Sequence, residues 1–207
     1  ETIRTIEGYK DKDPNYYRVH GLGLQGKVGG LVYPIFGQVD ELPKGRYGYG
    51  LDYGFASDPS VLTKHVIIGE NLYSKELLYR SGMTNDDLAR EMKLLQVGGD
   101  PVYADANEPK SAEELRRHGL NVVAVDKTNF RMNYRIQKVN QYYQYWTSDS
   151  LNCIKEQRNY RYLEDKDHPG RYTEKTTHQW SHGMASREFF AVSTRINTGE
   201  PYKVIQF

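Results

Sequence analysis

Between residues 47 and 79 the apolar and β-prone positions fall into three runs, 47–55, 60–68 and 72–79. The breaks at Asp58-Pro59 and Gly69-Glu-Asn71 are turn chemistry, so the runs predict three strands in an antiparallel meander. The pattern then changes period. A helix is expected from Thr84 to about Gln96, with Thr84 as N-cap, Asp87 at its third position and Gly98-Gly99-Asp100 as its stop. A short apolar run, 101–104, ends at Asp105. Residues 111–119 have an acidic first turn, a basic last turn and a glycine stop, the arrangement a helix dipole favours. A strand over 121–125, a helix over 131–145, a helix over 151–160 capped by Thr147-Ser-Asp-Ser150, a loop over 165–170 and a last helix over 177–192 complete the order. Strands in a meander, then β-α-β-α, then further helices, make an α/β domain with a mixed sheet.

Residues 1 to about 45 are different: polar, glycine-rich and irregular, with Leu31-Val-Tyr-Pro-Ile-Phe36 as the main apolar run. We read them as an arm carrying one or two short strands. The whole chain of 207 residues suits one domain plus such an arm.

Charge changes the picture little, because 28 basic and 27 acidic residues leave a formal net charge of +1. Any nucleic-acid surface must be local. Cys153 is the single cysteine, so no intrachain disulfide forms. No apolar run approaches the ~18 residues needed to span a bilayer, and a soluble, intracellular protein is expected. Tyrosine is abundant at 18 residues, clustered around 142–145 and 160–162 near Arg158, Arg161 and Arg171. Half-buried packing explains such rings, and so does a face that stacks on nucleic acid.

Two aspartates carry the chemistry. Asp52 and Asp105 each sit where an apolar strand stops. Carboxylates at neighbouring strand ends can share a hard divalent cation, and two such ions can stabilise both oxygens of a phosphodiester displacement. A strand-end aspartate is equally a turn former or helix cap, so either residue alone decides nothing. Lys110, Lys127 and Arg131 lie just beyond these strand ends, as phosphate contacts or as solvated charges flanking helices. Glu108 is either a supporting ligand or part of the Pro109 turn, and Asp149 reads as a cap. Cys153 reads as core, and the histidines show no zinc spacing.

The element order, with acids at those two places, resembles the ribonuclease-H-like nucleases. The motifs narrow this. Tyr103-Ala-Asp-Ala-Asn-Glu-Pro-Lys-Ser111 with Val123-Ala-Val-Asp-Lys127 resembles the second acidic motif in the nuclease domain of tailed-bacteriophage terminase large subunits. Leu51-Asp-Tyr-Gly54 resembles the first, and Trp180-Ser-His-Gly-Met-Ala-Ser-Arg187 the third, where the family carries His-x-x-Asp on a helix. The resemblance implies a ribonuclease-H-like mixed sheet: a three-strand antiparallel meander followed by parallel strands, flanked by helices. It divides the chain into a linker over 1–45, from an ATPase domain not included, and a nuclease domain over 46–207. It implies an endonuclease that cuts double-stranded DNA in phage genome packaging, with two Mg²⁺ or Mn²⁺ ions. The portal, the small terminase subunit and the ATPase domain are its implied partners, and the host cytoplasm its location. Asp52 and Asp105 would be metal ligands, and His182 would orient water or carry a proton. Ala185 stands where the family has its third aspartate, and a methyl binds no metal. Glu188, one turn on, is the nearest replacement ligand. The rival reading is a non-catalytic module of this fold that binds DNA or docks onto a motor or capsid partner.

Overall fold

The computed structural model describes residues 6–12, 17, 21–22, 30–54, 56–125, 131–168 and 171–194. The three runs of the meander are β2 (Tyr47–Asp52), β3 (Pro59–Ile68) and β4 (Asn71–Ser81), preceded by β1 (Gly37–Val39). Next come α1 (Asn85–Leu94), β5 (Val102–Asp105), α2 (Pro109–Arg117), β6 (Val122–Val125), α3 (Met132–Asn140) and β7 (Tyr143–Thr147). The chain ends its described course with α4 (Leu151–Asn159), a hairpin of β8 (Tyr162–Glu164) and β9 (Tyr172–Thr176), and α5 (His182–Ser193). Seven strands form one sheet in the order β1-β7-β4-β3-β2-β5-β6. β2, β3 and β4 pair antiparallel, while β5, β6, β7 and β1 join in parallel. This is the mixed sheet expected from the sequence, an antiparallel meander joined by parallel strands.

Period-two alternation puts two separate cores on the two faces of the sheet. On one face Tyr49, Leu51, Leu62, Val102 and Ala104 pack on Leu88 and Met92 of α1 and Leu115 of α2. On the other, Val61, Leu72, Tyr103 and Trp146 pack on Ile136 of α3, Cys153 of α4, and Met184, Phe189 and Phe190 of α5. The buried Cys153 is core, as its surroundings in the sequence indicated. Thr84 and Asp87 form the expected capping box of α1.

Three sequence expectations change. The helix expected over 131–145 stops at Asn140, and the tyrosine-rich stretch after it is strand β7. Its alternation explains why: Gln144 and Trp146 are buried, while Tyr143 and Tyr145 are half-exposed, the signature of a strand and not of a helical stripe. The loop expected over 165–170 lies inside the β8–β9 hairpin, and the last helix begins at His182, not 177. In the segment read as an arm, Val32 and Tyr33 are fully buried and β1 pairs with β7, so its described part is built into the domain. Among the described residues, no helix is long and apolar enough to cross a membrane.

Candidate metal centre

Strand pairing decides where the two aspartates go. β2 and β5 are parallel neighbours in the register Gly50↔Tyr103 and Leu51↔Ala104, and both strands end one residue later, at Asp52 and Asp105. Leu51 and Ala104 point into one core, so Asp52 and Asp105 turn to the opposite face, the one covered by α5. Neighbouring strands lie about 4.8 Å apart, so the two carboxylates start from adjacent positions. Asp105 Oδ1 also accepts the Asn107 backbone N–H at 3.0 Å, which folds the chain back toward α2.

Helix α5 lies directly along β2. The alternate residues Gly48, Gly50 and Asp52 face Phe190, Ser186 and His182, which are spaced one helical turn apart. Two residues of strand advance about 6.7 Å and four of helix about 6 Å, so the two rows stay in step. The close approach requires glycine: a Cβ on Gly50 would overlap the Ser186 carbonyl, and one on Gly48 would touch the Phe190 ring. Ser186 also hydrogen-bonds Thr63 of β3, so a polar contact anchors the helix in the same place.

This packing delivers His182 to Asp52. Its Nδ1 lies 3.0 Å from Asp52 Oδ2, and its Nε2 4.0 Å from Asp58 Oδ1. Burial alone would depress the imidazole. The hydrogen bond and charge of Asp52, with Glu156 and Asp58 behind it, outweigh that and hold His182 above its ordinary pKa.

Glu156 of α4 completes the surroundings. Its Oε2 accepts the Gly183 N–H at 2.6 Å, and its Oε1 accepts the Tyr79 hydroxyl at 2.8 Å. A Cβ at residue 183 would overlap Cys153 Sγ, so glycine is what admits this carboxylate to the start of α5. A helix N-terminus carries partial positive charge that opposes a nearby cation, and an ionised Glu156 offsets it. Burial, the dominant influence, pushes its carboxyl up to about 7.

The other candidates are placed as follows. Ala185 is half-buried, one turn beyond His182, and offers no ligand atom. Glu188 is buried elsewhere: Oε1 accepts the Tyr33 hydroxyl at 2.8 Å and Oε2 the Arg135 Nε–H at 3.2 Å. Its carboxylate is an internal counterion for Arg135, which argues against the ligand role the sequence expected, because the α5 turn carries it inward. Lys110 is exposed at the second position of α2, and Arg131 is exposed at the N-cap of α3. Lys127 lies outside the described residues. Glu108 stands at the N-cap position of α2 without a side-chain bond to the helix backbone and accepts from the Ser111 hydroxyl, and Asp149 pairs with Lys75 at 2.7 Å. Three residues escaped the sequence reading. Glu156 closes the stretch 147–156 that resembles the family segment between the second and third motifs, but nothing in that resemblance gave it a role. Asp58 and His178 join His182 in a group whose ligand atoms lie within 4.8 Å of one another. The spacing of His178 and His182, four residues apart, was the signal that could have found them.

No protein-family model matches the chain. It is 28% identical over 178 residues to the PBSX phage terminase large subunit from Bacillus subtilis (strain 168), covering 80% of this chain and 41% of that protein. The chain therefore spans less than half the length of that relative. Among solved structures, the large terminase of a thermophilic bacteriophage in complex with ATP-gamma-S superposes with a TM-score of 0.72, at 18% identity over 91% of this chain and 51% of that one. The large terminase (g2p) nuclease domain of bacteriophage SPP1, with bound Mn, superposes with a TM-score of 0.62, at 18% identity over 70% of this chain and 84% of that one.

Proposed function

We propose that this chain, which is similar to phage terminase large subunits and has the fold of their nuclease domains, is the metal-dependent endonuclease of a genome-packaging machine. The observation that carries this reading is the pairing of β2 with β5, which ends both strands in carboxylates on one face beneath α5. Carboxylate oxygens are the ligands Mg²⁺ and Mn²⁺ prefer, and Mg²⁺ needs few of them because it keeps several waters. The donor set therefore fits such ions, with Asp52 as shared ligand and Asp105 as ligand to one. When bound, the ions supply positive charge at the attacking and leaving oxygens of a phosphodiester.

The chain's own residues do the rest. Asp52 holds the ring of His182 through Nδ1, which leaves Nε2 directed toward Asp58 and able to exchange a proton with water. Lys110 and Arg131, exposed beyond the strand ends, contact phosphates and set the position of the duplex without reading its sequence. Residues 46–207, together with β1 and the buried Val32 and Tyr33 that pack into them, form the nuclease, and the segment before these leads to the ATPase domain of the longer protein. Its further partners are double-stranded DNA, the portal and the small terminase subunit.

Ala185 weakens the site, because the third carboxylate of the family pattern is replaced by a methyl group. Incubation of supercoiled plasmid with Mn²⁺, with and without chelator, tests the proposal on this chain and on Ala185→Asp. Weak nicking by the first and clear nicking by the second are expected. Absence of metal-dependent cleavage after Ala185→Asp overturns the reading. The same methyl group favours the rival, a DNA-binding module without catalysis, which predicts salt-dependent binding and no cleavage by either variant.

A further inference from the structure

Outside the carboxylate pair, the described residues hold one group of potential ligands that mixes nitrogen with oxygen. Asp58 lies in the turn between β2 and β3, His178 just before α5, and His182 at its first residue. The geometry points to a second cation site: Asp58, His178 and His182 form a two-imidazole, one-carboxylate cluster for a divalent transition ion such as Zn²⁺ or Co²⁺.

Three observations carry it. The first is proximity. One ligand atom from each residue lies within 4.8 Å of the others, and His182 Nε2 is 4.0 Å from Asp58 Oδ1. In a tetrahedral site with bonds of about 2.0–2.1 Å, ligand atoms sit roughly 3.3 Å apart. Closure thus asks for shifts of about an ångström, and the parts that move are accessible: His178 is exposed and the Asp58 side chain is 47% exposed. The second is orientation. Asp52 Oδ2 accepts from His182 Nδ1 at 3.0 Å, which places the proton on Nδ1 and the lone pair on Nε2, facing Asp58. A carboxylate behind an imidazole is the usual support of a metal-bound histidine, fixing its tautomer and raising its basicity. The third is chemistry. Imidazole suits zinc, cobalt, nickel and copper, whereas Mg²⁺ selects oxygen, so this cluster and the carboxylate pair prefer different ions. Three protein ligands with one position left for water is the composition of an open zinc site.

The site does not depend on the nuclease reading. Its ligands Asp58 and His178 lie outside the Asp52–Asp105 pair, and His182 is the common member. An ion held on Nε2 ties up the nitrogen that the nuclease proposal uses for proton exchange, so occupancy by Zn²⁺ would inhibit cleavage.

The test is direct binding. The metal-free chain is titrated with Co²⁺ and followed by visible absorption, then challenged with Zn²⁺ and with Mg²⁺. Visible bands saturating near one equivalent, displaced by Zn²⁺ and unaffected by equimolar Mg²⁺, are expected. His178→Ala should weaken Co²⁺ binding at least tenfold with the far-ultraviolet dichroism unchanged, because His178 is exposed and its removal opens no cavity. Asp58→Asn should do the same. Asp105→Asn separates the two sites: a retained Co²⁺ band supports the cluster, and its loss assigns the ion to the carboxylate pair and overturns the inference. Absence of any band, or unchanged affinity in His178→Ala, overturns it as well.

Discussion

His182 and Asp52 are held 3.0 Å apart although one opens the last described helix and the other closes the first strand of the meander. Asp52→Asn keeps the size of the side chain and an acceptor for the ring N–H, and deletes the charge. The fold should therefore persist, with an unchanged dichroism spectrum. Calorimetric Mn²⁺ affinity should fall at least tenfold, about 1.4 kcal/mol. Unchanged Mn²⁺ binding would remove Asp52 from the proposed ligand set.

Glu188 and Arg135 form a buried pair, 1% and 9% exposed at their side chains. Removing one member of such a pair strands the other charge and costs about 3–5 kcal/mol. Glu188→Ala should lower stability by that order in urea unfolding, equally with Mn²⁺ and with chelator. A loss that appears only when Mn²⁺ is present would return Glu188 to the metal shell.

Gly50 sits where strand and helix touch. Gly50→Ala places a methyl against the Ser186 carbonyl, which is backbone and cannot swing aside. Helix α5 must then lift from β2. Overpacking of this kind costs about 1–3 kcal/mol, and the shift also carries His182 away from Asp52. Thermal unfolding should report the first effect and Mn²⁺ titration the second. Wild-type values for both would contradict the close approach.

Glu156 makes stability depend on pH. Burial raises its carboxyl from the ordinary value to about 7, so between those values the folded chain keeps a proton that the unfolded chain has lost. Stability is then fully present at acid pH below the unfolded value, declines as pH rises through about 7, and levels off above it. For metal-free protein in chelator, the loss between pH 5 and pH 8 should be roughly 2–3 kcal/mol. Glu156→Gln should flatten that part of the profile. An unaltered slope would show that another group titrates there.

The sequence told much of this in advance for a physical reason. β2 to β4, α1, β5, α2 and β6 each carry their own pattern, with caps and turns at the ends, so local chemistry identifies them. Strand β7 was hidden because Tyr142-Tyr143-Gln-Tyr145 continues a helical run without a breaker, and only its place between β1 and β4 makes it a strand. The positions of Asp52 and Asp105 at the ends of β2 and β5 were legible because strand ends are local events. Glu156 and Asp58 were not, because tertiary packing alone brings them beside His182, whereas His178 lies only four residues before it and its spacing went unread. Glu188 misled for the same reason: helical spacing gives the turn, but Tyr33 and Arg135, distant in sequence, decide what that turn meets.

Under the proposed function, the parallel register of β2 with β5 has a kinetic consequence for an arriving metal ion. Two carboxylates far apart along the chain are gathered once, during folding, by the backbone hydrogen bonds of neighbouring strands. The entropy of bringing them together is spent before the ion appears. Capture then needs no loop to search for its partner, and its rate should be governed by how fast the ion sheds water. A cation that exchanges its hydration slowly, such as Mg²⁺, would load more slowly than Mn²⁺ even at equal affinity.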